Sequence, residues 1–186
     1  LMNFAGTDDS LTIPTMTWTN RQPWSVSFWA QKSAENDQGS VIGTRDDIGD
    51  VIWIFSASAV IEFRNSTNGV NNAEWQFSWD ANTSRNFYTF VAPGTDRLDL
   101  YVNGTYFSSI DTGTGFTIND VGDSESSFSF GGTIDDMAIW NTTLTPSQIR
   151  ALYNNRSDVI VNSMTGVSDT WQLRSVPNDN FSDGNM

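Results

Sequence analysis

Two aspartates, Asp135 and Asp136, stand side by side in the run TIDDMAIW (133–140). Ile134, Ala138, Ile139 and Trp140 give this run the look of a strand, and successive strand side chains point to opposite faces. One carboxylate therefore faces solvent, and the other faces whatever the strand packs against. A charge in that second position needs donors, an opposite charge or a metal ion. Two further acidic stretches, RDDIGD with Asp46, Asp47 and Asp50, and NDVGDSE with Asp120, Asp123 and Glu125, lack EF-hand spacing, since Ile48 occupies the middle position of the first. Both read as solvated turns. The chain contains no histidine and no cysteine, which removes thiol nucleophiles, histidine bases, disulfides and the usual zinc ligands. Catalysis would have to rest on carboxylates brought together from distant strands, and no nucleophile motif is present, so the chain reads as a non-enzyme.

Binding is the better-supplied chemistry. In AEWQFSWD, Trp75, Phe77 and Trp79 share one strand face, and Glu74, Gln76 and Ser78 share the other. Such a ladder can stack sugar rings, but the polar opposite face turns it toward the core. Loop or edge residues are better placed for a ligand: Trp18, Asn20, Arg21, Arg45, Asn68, Asn71, Asn72 and Arg85. Asn and Arg carry the planar donors and acceptors that sugar hydroxyls need. The net charge is −13, and Lys32 is the sole lysine, so a phosphate backbone is repelled and nucleic acid is not an expected partner.

Short alternating runs punctuated by Gly, Asn, Asp and Ser position these residues: LTI, WSVSFWAQ, SVIGT, VIWIFSA, VIEFRN, AEWQFSW, NFYTFVA, RLDLYV, TYFSSI, SFSFG and TIDDMAIW. The pattern predicts an all-β antiparallel sandwich or barrel. Asn103-Gly104 predicts a two-residue type I′ hairpin. Its register puts Leu98, Leu100, Val102, Thr105 and Phe107 on a core face, and Arg97, Asp99, Tyr101 and Tyr106 on a wetter one. One short surface helix is predicted at 146–153, with Thr145 as cap, Pro146 at its first position, Gln148 completing a capping box, and Ile149, Leu152 and Tyr153 on one face. At 186 residues the chain fits a single domain, 1–186. Its tail, 165–186, reads as an edge strand or the start of a further module. The longest apolar run, VIWIFSASAVI, is too short to span a bilayer, so no membrane insertion is expected. No signal-peptide pattern opens the chain, which is consistent with a leader or longer parent chain removed before Leu1. Sequons begin at Asn65, Asn82, Asn103, Asn141, Asn155 and Asn180, as a chain rich in Asn, Ser and Thr produces by chance.

Four pieces of the sequence together carry a resemblance. LMNFAGTDDSLTIP is similar to the opening strand and turn of the laminin G-like family of concanavalin A-like jelly-roll domains, the lectin/glucanase superfamily. PWSVSFWAQ resembles that family's first core strand, and FYTFVAPGTDRLDLYVNGTYFSSI its central hairpin. GTIDDMAIWNTTLTPSQIRALYNN resembles its closing strand and short helix, the most specific of the four. The tail WQLRSVPNDNFSDGN is similar to the segment that often precedes the opening strand in the family.

The resemblance implies a jelly-roll β-sandwich of two packed sheets and a non-catalytic binding role in a secreted, cell-surface or viral structural protein. It also implies that the opening and closing strands lie near one another, which brings Asp8 and Asp9 toward Asp135 or Asp136. One reading is a structural Ca2+ shared by these four, since family members often bind calcium and carboxylates are its ligands. The other is that the inner Asp accepts backbone amides or pairs with an arginine. The jelly-roll glucanases carry an E-x-D-x-E run, whereas the nearest stretch here, Glu35-Asn36-Asp37, lacks the third acid. Two functions follow as expectations: a lectin-like module recognising glycans at an extracellular, cell or virion surface, or an assembly domain that binds other protein subunits or copies of itself as a homo-oligomer. Fold alone does not choose between them.

Overall fold

The computed structural model describes residues 1–5, 9–34, 38–44, 50–55, 60–65, 73–123 and 129–155. The tail 165–186 and the Glu35-Asn36-Asp37 stretch lie outside them. Twelve strands form two six-stranded antiparallel sheets. They are β1 (Met2–Ala5), β2 (Leu11–Trp18), β3 (Pro23–Lys32), β4 (Gln38–Gly43), β5 (Val51–Phe55), β6 (Val60–Asn65), β7 (Ala73–Phe77), β8 (Asn86–Pro93), β9 (Arg97–Val102), β10 (Thr105–Asp111), β11 (Phe116–Val121) and β12 (Gly131–Trp140). One sheet runs β1-β12-β3-β8-β9-β10, and the other β2-β11-β4-β5-β6-β7. The helix α1 (Pro146–Tyr153) follows.

Alternation builds the core. Trp24, Val26, Phe28 and Ala30 of β3 point between the sheets, joined by Tyr88, Phe90, Leu98, Leu100 and Val102 from the same sheet and by Ile52, Ile54, Ile61, Phe63 and Phe77 from the other. Trp24 lies at its centre, stacked on Phe116 at 5.1 Å and flanked by Trp18 at 5.9 Å. Its buried indole N–H donates to the Thr114 carbonyl at 2.8 Å, which satisfies the one polar atom the ring brings inside. Trp75 and Trp79 are half-buried against this core and Phe77 lies within it, so the aromatic ladder faces inward.

A second apolar cluster sits on the outer face of the first sheet. Phe87, Val91 and Tyr101 lie under Leu144 and Ile149, with Trp29, Trp140 and Tyr153 at its border. The helix starts as its sequence directs: the Thr145 hydroxyl accepts from the Gln148 N–H, and the Gln148 side chain accepts from the Thr145 N–H at 2.7 Å. Ile149 is fully buried, and Tyr153 packs on Trp29 at 5.6 Å. Leu152 is turned outward, because the helix covers a strip one residue narrower than periodicity suggests. This cover also buries Tyr101 on the face expected to be wet, and Asp99 on that face is buried as well.

The Asn103-Gly104 turn has both φ angles positive, 50° and 75°, as type I′ requires. Thr105 pairs with Val102 and Tyr106 with Tyr101, after which a bulge at Phe107 breaks the expected register and leaves that ring 37% exposed against Trp79. Strand β11 has no counterpart among the runs read from the sequence. A bulge between Ile118 and Asp120 breaks its alternation, and Asn119-Asp120 has the composition of a turn. Of the run SFSFG, Ser129 forms a single bridge to Ser40 and Gly131 opens β12, while Ser127 and Phe128 lie outside the described residues.

The acidic stretches read as solvated turns are corrected by this packing. Asp50, Asp120 and Asp123 are all buried, and Asp50 Oδ2 accepts the Thr117 N–H at 2.6 Å. Their position on or beside β5 and β11, rather than in exposed loops, is the reason. Asp46, Asp47 and Glu125 lie outside the described residues.

The Asp135-Asp136 pair is also explained. Asp135 pairs with Trp29 and Ala138 with Ser27, so β12 carries one extra residue at this point. Asp136 occupies the bulge at φ 46°, exposed. Asp135 lies on the outer face, paired with Arg85 Nη2 at 2.8 Å and the chain's amino terminus at 2.9 Å. Ile134 and Ile139, five residues apart, both face the core.

Candidate functional site

The connection from β2 to β3 crosses from one sheet to the other at one end of the sandwich, in the sequence TNRQ (19–22). The Gln22 N–H donates to the Thr19 carbonyl at 3.1 Å, and Gln22 Oε1 accepts the Thr19 N–H at 2.7 Å. This double closure forces Arg21 to φ 64° and turns Asn20 and Arg21 away from the body of the loop. Asn20 Oδ1 accepts the Thr114 N–H at 2.8 Å, and its Nδ2 donates to Asp96 at 3.2 Å. The Arg21 guanidinium grips Asp96, with Nε 3.0 Å from each carboxylate oxygen. The hydrogen bond to Arg21 holds the Asp96 carboxyl below its ordinary value, and the same bond raises the arginine. Asn20 and Arg21 thus tie three loops together.

Behind this turn is a cleft of about 310 Å3 lined by Thr17, Trp18, Gln22, Pro23 and Asn141. Trp18 is its floor. It was read as a loop or edge residue open to ligand, but it ends β2 and is only 5% exposed, because its ring packs on Trp24. Its Nε1 donates to Asn141 Oδ1 at 2.9 Å, joining residues 123 positions apart. The two exposed amides at the rim are therefore oriented. Asn141 has its oxygen on Trp18 and Gln22 has its oxygen on Thr19, which leaves each NH2 group as an outward donor. Among the described residues no carboxylate lines the cleft.

The remaining expected ligand residues do not gather here. Arg85 lies over the Trp29 ring at 4.9 Å and bonds Asp135, on the outer face of the first sheet. Arg45, Asn68, Asn71 and Asn72 fall outside the described residues. Sequence reading missed Thr17, Gln22, Pro23 and Asn141. The Thr19-x-x-Gln22 spacing, which has the form of a capping box without a helix, was the available signal for Gln22. Asn141 meets Trp18 only through the tertiary fold.

The described members of the acidic quartet do not fit a calcium cage. Asp9 Oδ2 accepts the Ala5 N–H at 2.7 Å, and Asp136 is exposed at the bulge. Asp135 is held below its ordinary pKa, mainly by its hydrogen bond to the amino terminus and also by Arg85. The Arg85 guanidinium on that carboxylate would oppose a further cation. Among the described residues no three acidic side chains converge on a metal position, and Asp8 lies outside them.

A laminin G family model (Laminin_G_3), described as the concanavalin A-like lectin/glucanases superfamily, matches residues 5–150. The chain belongs to that superfamily. No curated protein matches the sequence. Among solved structures, this concanavalin A-like domain is similar to the heptameric SAP-like pentraxin of Limulus polyphemus, with TM-score 0.59 and 15% identity over 90% of this chain and 88% of that one. It is also similar to a candidate carbohydrate binding protein from Bacteroides ovatus, with TM-score 0.61 and 13% identity over 78% of this chain and 45% of that one. The binding domain of botulinum neurotoxin DC in complex with rat synaptotagmin II gives TM-score 0.54 and 17% identity over 82% of this chain, which spans 46% of that domain's length. These identities establish shared architecture. What the concanavalin A-like sandwich does here is argued from the cleft.

Proposed function

We propose that the domain is a non-catalytic recognition module that binds a glycan in the Trp18–Asn141 cleft. The observation that carries this reading is the pair of amides, Gln22 and Asn141, each fixed through its own oxygen so that an NH2 donor faces the cleft beside an indole. Sugars present hydroxyl and ring oxygens that accept from such donors. The volume falls at the lower end of the range for small-molecule sites, about 300–1,000 Å3, which suits one or two sugar rings. Glycoside hydrolysis needs two carboxyl groups across the bond, and the described residues that line the cleft supply none. The carbohydrate-binding candidate among the structural neighbours, and a neurotoxin binding domain solved in complex with SialylT, support the reading. A module of this kind belongs at an extracellular, cell or particle surface.

The test is a glycan array followed by titration of the best binder onto two nearly isosteric variants. Asn141→Asp keeps the acceptor for Trp18 and Gln22→Glu keeps the acceptor for Thr19, while each replaces the outward NH2 with an oxygen. Each is expected to weaken binding about tenfold or more, the effect of exchanging a donor for a repelling acceptor. Unchanged affinity in both, or no glycan bound by the parent chain, overturns the reading.

A second reading, docking of another protein subunit, is favoured by one observation. Met2, Leu11, Ile13, Met16, Met137 and Ile139 line an apolar groove of about 340 Å3 between the two sheet edges, and methionine adapts to varied partners. Binding of glycans lost in the cleft variants would decide for the first reading.

A further inference from the structure

Strands β9 and β10 carry a second set of polar and aromatic groups, away from the cleft. Leu98, Leu100 and Val102 enter the core, so Arg97, Asp99 and Tyr101 stand on the outer face of the sheet. Strand pairing sets Tyr101 beside Tyr106, Asp99 beside Ser109, and Arg97 beside Asp111. Tyr106 is 51% exposed and meets Tyr101 edge to face, with centroids 5.4 Å apart and planes at 75°, which props its ring up from the sheet. Asp99 is buried, with 7% of its side chain exposed, and Arg97 Nη2 donates to its Oδ2 at 2.8 Å. Its other oxygen, Oδ1, accepts no hydrogen bond among the described residues. A buried carboxylate oxygen without a donor is costly. The guanidinium beside it is half exposed.

We infer that this face of β9 and β10 is a second saccharide subsite. It deepens the glycan reading and rests on it in that respect. Tyr106 supplies a flat surface for a sugar ring, Asp99 Oδ1 accepts from one hydroxyl as Arg97 swings aside, and the guanidinium donates to its neighbour. Carboxylate and guanidinium side by side match the donor and acceptor pair of vicinal hydroxyls. Asp99 and the exposed Asp111 repel acidic sugars, so the ligand class is a neutral saccharide. Tyr106 lies on β10, the edge strand of its sheet among the described residues.

The test uses an array carrying neutral and acidic glycans, followed by calorimetric titration of the best neutral binder. The parent chain is compared with Tyr106→Ala, Asp99→Asn and the double cleft variant Gln22→Glu/Asn141→Asp, each verified as folded by near-ultraviolet circular dichroism. Tyr106→Ala removes an exposed ring and leaves the core intact, so it remains informative if Asp99→Asn fails to fold. Tyr106→Ala is expected to weaken neutral-glycan binding about tenfold, and folded Asp99→Asn to do the same. Parental affinity in Tyr106→Ala overturns the inference, whatever the cleft variant does. Loss in Tyr106→Ala with parental binding in the cleft variant upholds this subsite and overturns the cleft reading. Absence of any glycan binding overturns both.

Discussion

Tyr88 has its phenol between the sheets, 1% exposed, and burial pushes its pKa up to about 12 from an ordinary value of 10.0. The native state thus holds this proton more tightly than the unfolded chain does. The associated stability is complete below pH 10 and is lost as pH climbs toward 12. A two-unit shift corresponds to roughly 3 kcal/mol. Urea unfolding between pH 9 and 12 is expected to show a falling limb that flattens in Tyr88→Phe, and the phenolate absorbance of Tyr88 is expected to rise only with unfolding. At this scale the sequence was partly legible. It required an aspartate on the packed side to be balanced, whereas the bulge at Asp136 keeps both carboxylates off the core side and Asp135 pairs with Arg85 on the outer face. It could not place Trp18, because an indole at a strand end next to a loop looks exposed until the ring stacked on it, Trp24, is known.

Helix α1 is eight residues long and owes its start to local chemistry. Thr145→Ala removes the hydroxyl that accepts the Gln148 N–H and is expected to cost about 1 kcal/mol, lowering Tm by about 2–4 °C in a chain of this size. The loss should be larger than that of an exposed Pro-free surface substitution such as Ser147→Ala, and thermal melts compare the two directly. Elements with local signals were the legible ones: the capping box around Thr145 and Gln148, the Asn103-Gly104 turn, and the alternating β3 and β8. Strand β11 was not, because its bulge interrupts period-two alternation and its Asn119-Asp120 pair resembles a turn.

Across the whole molecule, the order β1-β12-β3 brings the opening and closing strands together as the resemblance implied, yet Asp9 and Asp135 are engaged by protein groups. Thermal unfolding in millimolar calcium and in EDTA is therefore expected to give the same Tm. A rise of several degrees in calcium would mean that Asp135 exchanges Arg85 for the ion and that Asp8 and Asp9 complete its shell. Architecture was readable because it is written many times over in repeated strand patterns. The cleft was not, because it exists only where the ends of β2 and β12 meet, with a hydrogen bond between Trp18 and Asn141 that no local window contains.

The bulge in β12 has a consequence for how the chain tolerates changes in length. With Asp136 removed, Ile134, Asp135, Met137, Ala138, Ile139 and Trp140 would alternate inward and outward without interruption, each on the face it already occupies. A one-residue deletion within a strand ordinarily turns every following side chain inside out. Here it would restore parity, whereas deletion of Ile134 or Ala138 would leave the extra residue in place and remove a packed side chain. The deletion variant lacking Asp136 is expected to keep the sandwich and its register, which makes this position the natural point for indels in an otherwise length-intolerant strand.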